Sequence, residues 1–202
     1  MDNSEPSGSD ICRCSWCLNN EDYIKYHDRE WGKPLKNNKK LFEFLVLDGA
    51  QAGLSWLTIL RRRNGYREAF DGFDPEKIAR YSQKDIKRLL SDTRIIRNKL
   101  KISSAINNAK AYLNMKEKGQ DFSKWIWNWV DGKPIVNQWK TLEQIPASTD
   151  LSEQISKELK KLGFTFVGPT IIYAFMQAAG LVNDHLVDCF RHSELSEPHK
   201  LQ

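Results

Sequence analysis

Cys14, His27, His185 and Cys189 are the residues of this chain whose types and spacing point most directly to chemistry. His185 and Cys189 are four positions apart, so a helix would put them on one face. Cys14 and His27 lie near the other end of the chain. Two thiolates and two imidazoles suit a tetrahedral zinc ion, Zn2+. Such a site would tie the N-terminal segment to the C-terminal helix. With four protein ligands it has no open position, so its role would be structural. Spacing also allows a rival. Cys12, Cys14 and Cys17 form Cys-x-Cys-x-x-Cys, which could join Cys189 around a metal or an iron–sulfur cluster. A third reading takes His27 and His185 as ordinary core histidines with hydrogen-bond partners.

A second constellation occupies residues 162–170, Leu162-Gly163-Phe164-Thr165-Phe166-Val167-Gly168-Pro169-Thr170. One helix should stop at Gly163 and the next should start at Pro169. Gly168 would let the backbone turn tightly and let another group come close. The free N–H groups of the new helix would point outward at the positive end of its dipole, which makes a phosphate site. Lys157, Lys160 and Lys161 on the preceding helix would add charge. The bland alternative is an ordinary corner between two helices. The Val167-Gly168-Pro169-Thr170 core looks like the hairpin of helix–hairpin–helix DNA repair proteins. Bifunctional members of that superfamily carry a lysine two residues after the hairpin glycine. Thr170 stands there in this chain, so no Schiff-base amine is supplied and strand cleavage by a lyase route is not expected. Many members also carry an aspartate in a Val-Asp-x-His context. This chain reads Val182-Asn183-Asp184-His185, which puts Asn183 at that position and Asp184 next to it. An amide cannot supply the charge that would stabilise an oxocarbenium-like sugar or activate water.

The elements that must hold these residues read as helices. Asn37 and Asn38 can cap a helix carrying Leu41, Phe44, Leu45 and Leu47. Asp74 before Pro75 is a strong helix start. Ser82 and Asp85 resemble a capping box ahead of Ile86, Leu89 and Leu90. Ile102, Ile106, Ala109 and Leu113 fall on one helical face, and Gly119 should end that helix. Trp125, Ile126, Trp129 and Val130 form a short apolar face. Residues 148–150 can start a helix bearing Ile155, Leu159 and Leu162, and a last helix should run from about Pro169 to Ala179. No alternating strand pattern competes, so the expected class is all-α. Residues 1–10 and 192–202 read as flexible tails around a single domain at 11–191.

The bulk properties fit one folded domain. The chain has 202 residues, of which 40% are hydrophobic, and a net charge of +5. Mild basicity permits binding to phosphate backbones without demanding it. Seven tryptophans are many for this length, and most should be core. No apolar run approaches the roughly 20 residues of a membrane span. Residues 1–10 are polar and acidic, with no apolar segment after a basic cluster, so a secretory signal is not expected and the cytoplasm is the expected compartment. Clustered cysteines in such a chain argue for metal or redox chemistry rather than disulfides.

Several motifs in series resemble the bacterial type I 3-methyladenine DNA glycosylases. They are Arg13-Cys14-Ser15-Trp16, then Tyr23-Ile24-Lys25-Tyr26-His27-Asp28-Arg29-Glu30-Trp31-Gly32, then Asp48-Gly49-Ala50-Gln51-Ala52-Gly53-Leu54-Ser55-Trp56. Phe166-Val167-Gly168-Pro169-Thr170, Phe175-Met176-Gln177-Ala178 and Gly180-Leu181-Val182-Asn183-Asp184-His185 follow. The resemblance covers about residues 12–190. It implies a helix–hairpin–helix DNA glycosylase fold with zinc on Cys14, His27, His185 and Cys189, and leaves Cys12 and Cys17 as bystanders. It implies a base pocket of Trp16, Tyr23, Tyr26, Trp31, Trp56 and Asp48, with Asp48 and Tyr26 as the polar groups nearest the chemistry. Gly53 and Leu54 match the segment that enters the duplex, and Val167, Gly168, Pro169 and Thr170 match the DNA-binding hairpin. The implied activity is monofunctional hydrolysis of the N-glycosidic bond of 3-methyladenine in double-stranded alkylated DNA, leaving an abasic site; a glycosylase of this size can act as a monomer, which is the expected state.

One position departs from the family, which usually has glutamate where this chain has Asp48. Aspartate keeps the charge but reaches less far by one carbon–carbon bond, roughly 1.5 Å. That leaves the same substrate at lower efficiency, a shifted lesion preference, or DNA binding with little catalysis. Two other readings therefore stand beside the glycosylase: a zinc-stabilised DNA-binding module, and a metal-dependent hydrolase using the Cys/His set. Four protein ligands argue against the hydrolase.

Overall fold

The computed structural model describes residues 11–196. The expected N-terminal tail, residues 1–10, lies outside them. Eleven α-helices are found among the described residues. In chain order they are α1 (Glu21–Arg29), α2 (Asn38–Gln51), α3 (Trp56–Leu60), α4 (Arg63–Ala69), α5 (Pro75–Ile78), α6 (Gln83–Ser91), α7 (Lys99–Glu117), α8 (Phe122–Trp127), α9 (Asp150–Lys161), α10 (Pro169–Ala178) and α11 (Phe190–Ser196). The helix starts follow the capping residues. The Asn37 side chain accepts from the Lys40 N–H, Asp74 accepts from Glu76 and Lys77 ahead of Pro75, and Ser82 with Asp85 closes a full capping box. Thr149 caps α9 in the same way through Ser152.

Helix α2 is the axis of the molecule. Every residue from Leu41 to Ala50 is buried. One of its faces (Leu41, Phe44, Leu45) packs in a core with α8, α9 and α10; the other (Phe42, Val46, Leu47, Ala50) packs with α4 to α7. A helix apolar nearly all round belongs in such a place. The two acids it carries inward, Glu43 and Asp48, are therefore exceptions that need an account.

Two features depart from the expected plan of an all-α domain between flexible tails. Ile135–Val136 (β1) pairs in parallel with Val182–Asn183 (β2), a two-residue ladder too short to leave a pattern in the sequence. The segment expected to be a tail from residue 192 is helical through Ser196. His192 is 7% exposed, Leu195 is 5% exposed, and the His192 Nε2 lies 2.8 Å from the Asn137 carbonyl. Its charged and polar composition hid two inward-facing side chains. Residues 197–202 lie outside the described part.

Candidate base recess and metal centre

The Cys/His cluster is assembled by three separate stretches of chain. Cys14 precedes a short 3-10 turn, His27 sits near the end of α1, and His185 and Cys189 lie between β2 and α11. All four are buried, and one ligand atom from each falls within 4.8 Å of the others. The Cys14 Sγ lies 3.7 Å from His185 Nδ1, and the Cys189 Sγ lies 3.4 Å from His27 Nε2 and 3.6 Å from His185 Nδ1. The two facing ring nitrogens are 3.1 Å apart. The other ring nitrogens are held from behind. His27 Nδ1 meets Asp28 at 2.8 Å, Asp28 is gripped by Arg13, and His185 Nε2 meets the Trp31 carbonyl at 3.1 Å. Such outer contacts fix ring orientation in metal sites. The Cys14 thiol and both imidazoles hydrogen-bond to Cys189 and draw its pKa down, while the bond to Cys189 and burial push Cys14 up. The rival cysteines do not join. Cys12 is exposed, and the Cys17 thiol points to the Cys14 carbonyl at 3.1 Å, pushed up to about 11 by burial.

This cluster backs onto a recess of about 250 Å³. Trp16, Tyr23, Tyr26, Trp31, Asp48 and Trp56, the six residues expected around a base, all line it. Trp16 and Trp31 are shared walls: their rings lie 5.5 Å from His27 and 4.6 Å from His185 respectively, edge-on. Tyr26 leans on Trp56 at 5.4 Å. Gln51, Ile145, Ala174, Gln177 and Ala178 complete the lining. Sequence reading missed these because glutamine and alanine on a largely apolar helix, and an isoleucine in a loop, carry no chemical signal of their own.

The two buried acids of α2 separate structure from function. Glu43 is paired, with Lys40 at 2.9 Å and Arg67 at 2.7 Å. Asp48 is equally buried and its Oδ2 has no hydrogen-bond partner. Burial alone pushes its carboxyl well above the ordinary carboxylate range. The Trp56 indole N–H in the same recess is also without a partner. Leaving a buried polar group unpaired costs about 1–3 kcal/mol, so two in one recess mark it as a place for a polar ligand. Tyr26 stays protonated far above its usual range, first through burial and then through the Asp48 charge. Tyr23 is differently used. Its hydroxyl accepts the Leu57 N–H at 2.9 Å and so positions the start of α3.

Two loops leave α2 and α9 on the exposed surface. Gly53 has φ +74°, and Leu54 beyond it is 39% exposed. The Lys101 ammonium holds this turn by donating to the Ala50 and Ala52 carbonyls, both at 2.7 Å. Residues 162–168 link α9 to α10, and α7 holds them too. Asn107 donates to the Gly163 carbonyl, and Ser104 and Asn108 donate to that of Thr165. The tight turn is made by Phe166 at φ +53°, not by Gly168, whose φ of −63° suits any residue. Gly168 instead leaves space: a Cβ there would meet nothing within 4 Å. Thr170 is exposed, whereas the Val167 side chain is 1% exposed and can offer only its backbone to a partner. Lys157, Lys160, Lys161 and Pro169 line one shallow depression beside the turn, together with Glu153. Asn183 is buried and donates to the His192 carbonyl at 3.0 Å, away from the recess lining.

A mainly helical fold, an aromatic recess with an unpaired acid, and a basic turn on the same chain define a protein built around a flat polar ligand. The methyladenine glycosylase family model matches residues 16–192, and the chain belongs to that family. It is 51% identical over 177 residues to the DNA-3-methyladenine glycosylase 1 of Escherichia coli strain K12, covering 88% of this chain and 95% of the relative. It is 50% identical over 177 residues to a DNA-3-methyladenine glycosylase of Haemophilus influenzae, covering 88% and 96%. The crystal structure of a 3-methyladenine DNA glycosylase I superposes with a TM-score of 0.87 at 50% identity, covering 89% of this chain and 98% of that one.

Proposed function

We infer that the chain is a base-excision repair enzyme, a glycosylase that hydrolyses the N-glycosidic bond of 3-methyladenine in alkylated DNA and leaves an abasic site. The observation that carries the reading is the aromatic recess with Asp48 buried and unpaired in its wall. Adenine methylated at N3 is cationic, and it leaves the sugar as a neutral base, so the bond is weak before the enzyme acts. The work left is to extrude the base and hold it. Trp16, Trp31, Trp56, Tyr23 and Tyr26 supply an aromatic lining in which stacking is worth roughly 1–3 kcal/mol per base and a cation is favoured. Asp48 accepts from the adenine amino group and adds negative potential. Tyr26 offers a second polar contact. Leu54 enters the duplex as an apolar wedge behind Gly53.

The segment at residues 162–170 is read as a helix–hairpin–helix, holding a DNA phosphate with the N–H groups of α10 and the nearby lysines. The Cys/His cluster suits zinc. Donors set at roughly 2.3 Å for sulfur and 2.0–2.1 Å for nitrogen around a tetrahedral ion lie about 3.3–3.8 Å apart. The sulfur–nitrogen spacings of 3.4–3.7 Å in the cluster fall in that range, and the ring nitrogens are slightly closer. Cys14, His27, His185 and Cys189 would fill all four positions, so the ion would fasten α1 to the 185–189 turn and stiffen the Trp16–Trp31 wall. The substrate partner is double-stranded DNA carrying alkylated bases, and the working unit is a monomer built on one domain. No helix among the described residues is long and apolar enough to cross a membrane.

The test is base release from DNA treated with a methylating agent, with the freed bases identified by mass spectrometry. Release of 3-methyladenine with 7-methylguanine left largely in place is expected. No release from folded protein that binds DNA would reject the substrate.

A further inference from the structure

The Val182-Asn183-Asp184-His185 segment carries a buried carboxylate that base excision as described above does not use. Asp184 is 1% exposed. Its Oδ1 accepts from Asn137 Nδ2 at 2.6 Å and from Trp139 Nε1 at 2.8 Å. Its Oδ2 accepts from the Tyr173 hydroxyl at 2.6 Å and from Gln177 Nε2 at 2.8 Å. A carboxylate offers about four lone-pair sites, so Asp184 has none left with which to activate water. Its effect is to fix the four donors. One of them, Gln177, lines the recess.

That contact decides which way the Gln177 carboxamide lies. Asp184 Oδ2 is an acceptor, so the NH2 end must face it; the flipped amide would set oxygen against oxygen. The free end is therefore the carbonyl oxygen Oε1, which has no protein donor among the described residues. The Gln177 backbone is held as well, its carbonyl accepting from the Gly32 and Gly180 N–H groups at 3.1 and 3.2 Å.

We propose that Gln177 is a specificity-determining residue of the recess: its Oε1, oriented by Asp184, accepts a hydrogen bond from the exocyclic amine of a 6-aminopurine beside the one taken by Asp48. The proposal rests on the excision reading above. An exocyclic amine has two N–H groups, and two of the acceptors in the recess lining face it without a protein donor: Asp48 Oδ2, buried and unpaired, and Gln177 Oε1, left free because the Nε2 end is committed to Asp184. A 6-oxopurine brings a third oxygen and no proton to the same place. The recess therefore takes N3-alkylated adenine and rejects guanine carrying the same alkyl group. Asp184 is a positioning residue, acting on the base only through the amide it aligns.

The test compares the unmodified protein with Gln177→Met, which keeps the side-chain length and leaves Asp184 three of its four donors. Both act on one methylated duplex, and release of 3-methyladenine and 3-methylguanine is followed together. Loss of one hydrogen bond should lower kcat/KM for 3-methyladenine about tenfold and leave 3-methylguanine unchanged, so the selectivity ratio falls by the same factor. An unchanged ratio, or equal loss on both bases, overturns the proposal. Release of neither base by the unmodified protein would instead defeat the excision reading. A second measurement needs no variant and no turnover: tryptophan-fluorescence titration of the unmodified protein with free 3-methyladenine and with 3,N6-dimethyladenine. With two acceptors, blocking one N–H weakens binding about tenfold. With one, the methyl group turns away and binding stays equal, which overturns the proposal.

Discussion

The Cys/His cluster and the aromatic recess share two tryptophans and are opposite in character. Behind Trp16 and Trp31, each outer ring nitrogen has a partner: His27 leans on Asp28, Asp28 on Arg13, and His185 on the Trp31 carbonyl. In front of them, Asp48 and the Trp56 indole are buried with no partner. A protein gains stability by pairing buried polar groups and loses it by leaving them unpaired. The cluster is thus the stabilising side of the wall and the recess is its strained side. Perturbing the first should change folding and perturbing the second should change chemistry, and mutations can break that division or sharpen it.

The largest effect is expected at the cluster. Cys189→Ser, or chelation, removes a ligand set that joins distant parts of the chain, and metal binding of this kind is coupled to folding. The melting temperature should fall by about 10 °C or more, with excision lost alongside it. Calorimetry with metal analysis by mass spectrometry checks this. A chelated protein with unchanged melting would mean that the site does not hold the fold.

Next comes Asp48. Asp48→Asn should lower excision about a hundredfold, the usual scale for removing one preorganised electrostatic group. The same change should stabilise the protein. Burial raises the Asp48 pKa, so the folded state holds this proton more tightly than the unfolded chain does. The stability contributed by such a group is full below the ordinary carboxylate pKa and is lost as pH rises through the raised value. The melting temperature of Asp48→Asn should therefore gain on the parent as pH rises above the ordinary carboxylate range. Excision by the parent should decline as pH falls through the raised value, and Asp48→Asn should lack that limb. A variant that is both slow and less stable at pH 8 would break the contrast between the two sides of the wall.

A smaller effect tests the outer turn. Lys101→Met leaves the recess intact and frees the carbonyls of Ala50 and Ala52. Excision from duplex DNA should fall about tenfold, the size of one or two lost charged hydrogen bonds. Binding of free 3-methyladenine should stay within about twofold if the turn serves the duplex, as proposed above, and not the base. Equal losses in both assays would place Lys101 in general support of α2.

These regions were unequally legible in the sequence. Helix ends were readable because caps are local: Asn37, Asp74 with Pro75, and Ser82 with Asp85 each act within three residues. The four clustered cysteine and histidine side chains were readable because their types are rare and chemically distinctive. The link between α9 and α10 was readable as a turn but not in its detail, since Phe166 takes the left-handed conformation that a glycine was expected to take. In the sequence Asp184 shows only as the residue next to Asn183. Its partners Asn137 and Trp139 come from a loop more than forty residues away, and no local pattern announces such a network. The end of the chain misled in the opposite way, because two buried side chains in a polar stretch carry too little periodicity to read as a helix.

The smallest expected effect is the most discriminating for the wall itself. Tyr23 lines the recess, yet its hydroxyl is already committed to the Leu57 N–H at the start of α3. Its ring also meets Trp16 edge-on at 5.3 Å. Tyr23→Phe keeps the ring and that contact while orphaning one backbone donor. The expected outcome is a stability loss of about 1 kcal/mol, with affinity for free 3-methyladenine unchanged within about twofold. Thermal melting and fluorescence titration read the two numbers separately. If affinity falls while melting stays put, the Tyr23 hydroxyl serves the ligand rather than α3. The recess would then hold one more polar group spent on chemistry than the hydrogen bonds of the free protein assign to it.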